Sequence, residues 1–281
     1  VDRFIQQAIA QVVSAQWEPH FHRHSYGFRP ERSAHQAVRE IQKQVRDSYR
    51  WVVDMDLEAF FDRVNHDRLM NRLQRHVPDR ALLRLINTYL KTGVRIDTLI
   101  VPTTQGVPQG GPLSPVPANV VLDENERKSA VDRPWNRKFL GFTLSRGDAR
   151  LKVSEPSLAK LKNRIRDLTR RTRGRRLIDI IAELRTALLG WKAYFGIAEV
   201  LSPLREIDKW IRRRLRCYQW KQWGSAGYRE LRKRGVTVRE AWNTSKSAHG
   251  PWRLSKTPAL NLALPAKTFS NMGLPSLCVT R

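Results

Sequence analysis

Apolar residues recur at helical spacing along most of the chain. Over residues 3–17, Ile5, Ile9, Val12 and Val13 share a face and predict a helix. The stretch 19–30, broken by Gly27 and Pro30, predicts a loop. Ser33 predicts the N-cap of a helix carrying Ala37, Ile41 and Val45. Residues 51–57 alternate instead, with Trp51, Val53, Met55 and Leu57 on one side of a strand and Val52, Asp54 and Asp56 on the other. Helical spacing then returns in a segment with Phe60 and Phe61, in one around Leu69 and Leu73, and over 79–91 through Leu82, Leu83, Ile86 and Leu90. A hairpin over 94–101 leads into the Gly/Pro-rich run 105–115.

Beyond a strand-like patch at 139–144 the pattern is helical. Leu158, Leu161, Ile165 and Leu168 form one stripe, and Ile178, Ile181, Leu184 and Leu188 form a second after a loop at 173–176. A third helix, at about 204–222, sets Ile207, Ile211, Leu215 and Tyr218 against Arg212, Arg213, Arg214 and Arg216. Amphipathic helices with basic outer faces can pack a core and grip a phosphate backbone together.

Charge sharpens this picture. The 281 residues carry 52 Lys and Arg against 26 Asp and Glu, a net charge of +26. Residues 1–123 account for only +3 of it and residues 124–281 for +23, with seven of the nine Trp in the latter. An excess of this size exceeds what solubility requires and points to a polyanionic partner, nucleic acid first. The length suggests about two domains at ~150 residues each. No stretch approaches the ~18 apolar residues of a membrane span, and residues 1–5 do not resemble a signal peptide. Cys217 and Cys278 are too few for a disulfide scaffold or a Cys-rich zinc module and fit a reducing, cytoplasmic setting.

Two segments carry candidate chemistry. In Val53-Asp54-Met55-Asp56-Leu57 a strand ends in a carboxylate that can be presented to Mg²⁺, the ion phosphoryl transfer uses to neutralise developing charge. Its plainer alternative is a pair of solvent-facing Asp. In the run 105–115, three Gly and three Pro fix an irregular backbone beside which a ligand can lie, and Gln109 can hydrogen-bond a base or sugar edge. Its alternative is an ordinary structural loop.

Taken together, Asp56 followed five residues on by Phe61, and then Gln105-Gly106-Val107-Pro108-Gln109-Gly110 with Ser114, resemble the palm of group II intron reverse transcriptases, or maturases. Ser25-Tyr26-Gly27-Phe28-Arg29-Pro30 upstream and Lys138-Phe139-Leu140-Gly141-Phe142 downstream resemble the same family. Gly190-Trp191-Lys192-Ala193-Tyr194-Phe195 and Trp210-Ile211-Arg212-Arg213-Arg214-Leu215 look like its maturase-specific thumb, and Gly250-Pro251-Trp252-Arg253 and Leu274-Pro275-Ser276-Leu277 like the tail of bacterial members. The resemblance implies that Asp56 and the carbonyl of Leu57 hold Mg²⁺. It implies that Phe61 selects deoxynucleotides, that Gln109 and Gly110 lie beside the incoming nucleotide, and that Lys128 protonates departing pyrophosphate. Arg164, Arg166, Arg170, Arg171, Arg173, Arg175, Arg212, Arg213, Arg214 and Arg216 match the segment that grips RNA. Group II intron RNA is the implied partner; its DNA target and dimerisation are compatible with the resemblance, and a membrane is not.

The chain also departs from that family. No two Asp are adjacent anywhere, so the Tyr-Ala-Asp-Asp hairpin with the remaining catalytic carboxylates is missing. Val121-Leu122-Asp123-Glu124 resembles the segment before that hairpin and Asn125-Glu126-Arg127-Lys128 the segment after it, so an internal deletion is expected at 124–125. Asp2 to Ala8 resembles the end of the fingers, which predicts truncated fingers. Two-metal chemistry needs several carboxylates about ions ~3.5–4 Å apart, so a two-Mg²⁺ site and polymerase activity are not expected. Loss of a central hairpin is expected to bare sheet edges and apolar faces.

His20, His22 and His24 have no evident fourth zinc ligand. Trp220 and Trp223, beside Lys221, are candidate base-stacking residues, with helix packing as the alternative. The expected class is α+β: an incomplete palm with partial fingers over 1–154, a helical thumb or maturase domain over 155–245, and an extended tail over 246–281. Three readings follow: an active RNA-directed DNA polymerase, an RNA-binding splicing cofactor of a group II intron, or a non-functional retroelement remnant.

Overall fold

The chain is described by a computed structural model over residues 2–55, 61, 63–92, 94–96, 99–101, 105–107, 112–122 and 129–278. It divides into two units, Val1–Leu140 and Gly141–Arg281. Both are mainly helical, and the described strands form three separate two-stranded antiparallel sheets, so the chain is of the α+β class. None of the described helices is long and apolar enough to cross a membrane.

In the first unit, α1 (Asp2–Trp17), α3 (His66–His76), α4 (Arg80–Lys91) and α5 (Pro115–Leu122) enclose one core. Ile9, Val13 and Trp17 meet Leu69, Leu73, Ile86, Leu90, Val116 and Val120 there. Val12, expected on the same stripe, is exposed because the buried face of α1 runs through Ile9 and Val13, and its neighbour is turned ~100° away. The helix α2 (Ala34–Arg46) begins as its sequence predicts: Ser33 Oγ accepts from the Gln36 N–H (3.3 Å) and Gln36 Oε1 from the Ser33 N–H (2.8 Å). This reciprocal box satisfies two otherwise orphaned helix donors. The strand β2 (Val94–Ile96) pairs antiparallel with β3 (Leu99–Val101).

The alternating strand is β1 (Val52–Met55), and its partner is β4 (Ser129–Asp132), paired Val53 to Val131. Among the described residues this ribbon has two strands, and Trp51, Val53 and Val131 are 60%, 51% and 61% exposed. The Arg133 guanidinium lies over the Trp51 ring at 3.9 Å and shields part of it.

The second unit opens with the hairpin β5 (Phe142–Leu144) and β6 (Leu151–Val153), which buries alternate residues. This hairpin lies within the second unit. Three long helices follow: α6 (Glu155–Leu168), α7 (Leu177–Phe195) and α8 (Ser202–Trp223). Phe142 packs beside Phe195 of α7 at 5.2 Å between ring centroids. The stripes of α6 and α8 are buried as expected, each large side chain contributing about 1.5–3 kcal/mol. On α7 the stripe runs Leu177, Ile180, Ile181, Leu184 and Leu188, leaving Ile178 exposed.

The last segment, read in the sequence as an extended tail, is instead a series of short helices. After α9 (Gly227–Lys233) and α10 (Val238–Ser245) come α11 (Pro251–Leu254), α12 (Pro258–Ala263) and α13 (Ala266–Asn271). Their turns are too short for a helical period to stand out, but Gly250-Pro251, Thr257-Pro258 and Pro265 supply start signals.

Gly141, where the second unit begins, has φ +82°, and a β-carbon there would lie 3.0 Å from Phe195 Cε1 and 3.1 Å from Ser157 Oγ. Gly141→Ala is expected to destabilise this unit by about 2–3 kcal/mol, combining the left-handed backbone cost with overpacking. Urea unfolding checks it; a change below about 0.5 kcal/mol would count against the close packing at Phe195.

Candidate nucleic-acid interface

In the first unit the structure brings together two segments that lie far apart in sequence. The N–H of Val107 donates to the Phe61 carbonyl (2.6 Å), and that of Gly106 to the Val64 carbonyl (2.7 Å). Asn65 and Gln105 form an isolated bridge between them. Phe61 is thus zipped to the start of the run that carries Gln109 and Gly110. Gly106 holds φ +93°, a conformation that suits glycine. Buried His66 locks this junction, its Nε2 lying 2.6 Å from the Gly106 carbonyl oxygen. Sequence reasoning missed His66; the available signal was its place on the apolar stripe with Leu69 and Leu73, which makes a buried polar ring in need of a partner.

Asp56, Leu57, Gln109, Gly110 and Lys128 lie outside the described residues. Asp54 does not: its half-exposed carboxylate is 3.9 Å from the Arg137 guanidinium. Among the described residues no three His, Cys, Asp or Glu groups converge as a metal site. His20 stacks on His76 at 3.8 Å and His22 faces His24 at 5.4 Å. Arg29, in the Ser-Tyr-Gly-Phe-Arg-Pro segment, is 8% exposed and organises its loop by donating to Glu18 (2.7 Å) and to the His22 (2.8 Å) and Ser25 (2.9 Å) carbonyls.

The ten candidate RNA-binding arginines separate into two groups. On α8, three of the half-buried ones cap other helices. Arg214 donates to Thr169 Oγ1 (2.6 Å) and lies 3.4 Å from the Arg166 carbonyl at the end of α6. Arg216 donates to the Leu264 carbonyl at the end of α12 (2.9 Å), and Arg213 to the Trp252 carbonyl of α11 (3.0 Å) while stacking on that ring at 3.8 Å. Helix C-termini leave carbonyls unpaired and carry partial negative charge, so a guanidinium there satisfies both needs. Burial pushes the Arg214 and Arg216 pKa values down, yet guanidinium stays charged at neutral pH.

The loop after α6 is closed in the same way. Glu183 of α7 accepts from Arg173 (2.7 Å) and pairs with Arg175 (2.5 Å), while Arg173 also donates to the Leu168 carbonyl (2.9 Å). The hydrogen bond from Arg173 holds the Glu183 carboxyl below its usual range, and that bond raises the Arg173 pKa in turn. The Arg175 backbone carbonyl accepts from Tyr218 Oη (2.7 Å).

The second group faces water. Arg164, Arg166, Arg170 and Arg171 are exposed along α6 and just past its end. Arg170 pairs with Asp167 (2.7 Å), an exposed i,i+3 bridge of the kind that contributes little. Arg212 is half-buried on α8. Of the proposed stacking pair, Trp220 is packed so closely on Gly227 that a β-carbon there would meet its ring at 2.8 Å. Trp223 is met edge-on by Trp220 at 6.1 Å and covered by Arg234 at 4.6 Å, so both serve helix packing. Cys217 is buried and Cys278 half-buried, and both are free thiols.

Two stretches of the chain match known families. Residues 1–143 match the reverse transcriptase (RNA-dependent DNA polymerase) family. Residues 158–236 match the maturase-specific domain of group II introns. Protein YkfC of Escherichia coli K12 is 41% identical over 128 residues, 44% of this chain and 33% of that protein. Group II intron-encoded protein LtrA of Lactococcus lactis subsp. cremoris is 35% identical over 126 residues, 45% of this chain and 21% of the other. The mitochondrial protein nuclear intron maturase 1 of Arabidopsis thaliana is 34% identical over 90 residues, 32% of this chain and 12% of its own length. The chain spans a third or less of the length of these relatives. It belongs to the reverse transcriptase family, as a group II intron reverse transcriptase/maturase.

Proposed function

We propose that this chain binds group II intron RNA through the exposed arginines of α6 and its following loop, and assists splicing without adding nucleotides. The observation that carries the reading is the row Arg164, Arg166, Arg170 and Arg171, exposed within the maturase-specific domain. Phosphate contacts of this kind hold an RNA fold in register and require no covalent chemistry from the protein. The strong positive excess of residues 124–281 supplies the long-range attraction.

For the catalytic half, the reading rests on the sequence. Mg²⁺ supplies charge neutralisation in the family's phosphoryl transfer, and Asp56 with the Leu57 carbonyl are the matching ligands. The chain contains no adjacent Asp pair to complete a two-metal set. The structured junction of Phe61 with Gly106 and Val107 is retained as a fold element.

The full chain, titrated with a group II intron RNA and with an unrelated structured RNA of equal length, is expected to prefer the intron by at least about tenfold at ~0.15 M salt. Equal affinity for the two would remove the cofactor reading and favour a remnant. Primer extension on an RNA template, with Mg²⁺ and then Mn²⁺, is expected to give no product. Extension abolished by Asp56→Ala would instead establish an active polymerase.

A further inference from the structure

Between α6 and the first half of α8 runs an open groove of about 410 Å³, within the range of small-ligand sites. Its base is apolar, formed by Leu158 and Ile207, both 2% exposed. Two side-chain pairs face each other across it. Lys162 and Arg166 stand one helical turn apart on α6, and Glu206 and Trp210 one turn apart on α8. The Arg166 guanidinium lies 5.6 Å and that of Arg214 5.1 Å from the centre of the Trp210 ring. Glu155 completes the rim.

The charge of this groove differs from that of its surroundings. Lys162 and Arg166 are balanced by Glu155 and Glu206, in a part of the chain with a large positive excess. A phosphate gains little from a site with two carboxylates. A flat, neutral ring with acceptors on one edge and donors on the other gains from every group present. It stacks on an indole, takes hydrogen bonds from the cations of α6 and gives them to a carboxylate of α8. Glu206 is mostly exposed, and its contact with Lys209 (2.8 Å) is an i,i+3 surface pair that leaves carboxylate lone pairs available. Glu155 stands 3.5 Å from Lys152 in a similar surface pair.

We infer that this groove takes an unpaired guanine of the bound RNA, stacked on Trp210. Its O6 and N7 face Lys162 and Arg166, and its N1–H and N2–H₂ edge faces Glu206. Guanine suits the site because its acceptors and donors are each adjacent pairs, matching a guanidinium on one side and a carboxylate on the other. Bases extruded from loops and bulges are the usual targets of sequence-specific RNA recognition. The inference rests on the RNA-binding reading above and adds the base that this surface selects.

The test uses the full chain and hairpin RNAs identical except for one bulged position: guanine, inosine, adenine, uracil or an abasic site. Fluorescence polarisation at ~0.15 M salt is expected to rank guanine about tenfold above the abasic hairpin, with inosine between them because it lacks the N2 amino group. Glu206→Gln is expected to erase the advantage of guanine over inosine, and Trp210→Leu to bring all five hairpins to one affinity. Glu206 is exposed, so its replacement keeps the fold even if Trp210→Leu does not. Five equal affinities for the unaltered chain, with ordinary salt-dependent binding retained, would overturn the guanine site and leave the RNA-binding reading standing. Binding to none of the hairpins, nor to intron RNA, would overturn both.

Discussion

Replacing Arg164, Arg166, Arg170 and Arg171 together by glutamine is expected to lower affinity for structured RNA by at least about a hundredfold at ~0.15 M salt. All four are exposed, and glutamine keeps a long side chain of similar helix propensity, so the fold should be unaffected. The magnitude follows from counterion release. Each lost phosphate contact removes about 0.9 from the slope of log affinity against log salt, so the contacts of Arg164, Arg170 and Arg171 remove about 2.7, Arg166 being turned to the groove. The slope is the deciding measurement, since a folding defect would lower affinity without changing it in this way. A contrasting result is expected for Arg213, Arg214 and Arg216, which hold the carbonyls of Trp252, Thr169 and Leu264. Loss of any one of them should reduce stability by about 1.5–3 kcal/mol, the range for hydrogen bonds to charged groups, and change the slope little. If the fourfold variant shifts the slope by less than about 1, α6 is not the RNA-facing surface.

Asp208→Ala is expected to release the end of the chain from α8 and to lower the stability of the second unit by about 3–4 kcal/mol. Asp208 is 6% exposed, and its carboxylate accepts from Ser276 Oγ (2.6 Å) and from the Leu277 N–H (3.1 Å to each oxygen). Leu277 is 1% exposed beside it, and Lys192 donates to the Ser276 carbonyl (3.0 Å). Removing the carboxylate leaves a buried N–H and a partly buried hydroxyl without their acceptor, which costs about 1–3 kcal/mol each. Thermal unfolding should fall by roughly 10 °C for a unit of this size. Hydrogen exchange at the Leu277 amide should rise with it. Asp208→Asn keeps one acceptor oxygen and should fall between the two. An Asp208→Ala variant with unchanged melting and a still-protected Leu277 amide would show that the carboxylate does not hold this segment.

Much of the helical framework was legible from residue spacing. Ser33 announced α2, and the apolar rows of α3, α6 and α8 are buried where the pattern puts them. The errors were offsets by one position, as at Val12 and Ile178, where two adjacent apolar residues compete and packing chooses one. The short helices α11 to α13 escaped because each is only one or two turns long. Of the candidate site, the match of motifs brought out Phe61 and the run beginning at Gln105 as partners. That they are joined through the Phe61 carbonyl and locked by His66 is decided by the tertiary structure.

Family membership, the concentration of positive charge after residue 123 and the missing Asp pair are properties of residue order, and the sequence settles them. Which arginines face RNA is not such a property. On α8, Arg213, Arg214 and Arg216 look in sequence like a phosphate-binding cluster, while in the fold they cap the ends of α11, α6 and α12. A guanidinium binds a helix-end carbonyl and a phosphate oxygen by the same geometry and charge. Only the approach of another helix terminus decides between them, and that approach is made by residues 39 to 48 positions away in the chain.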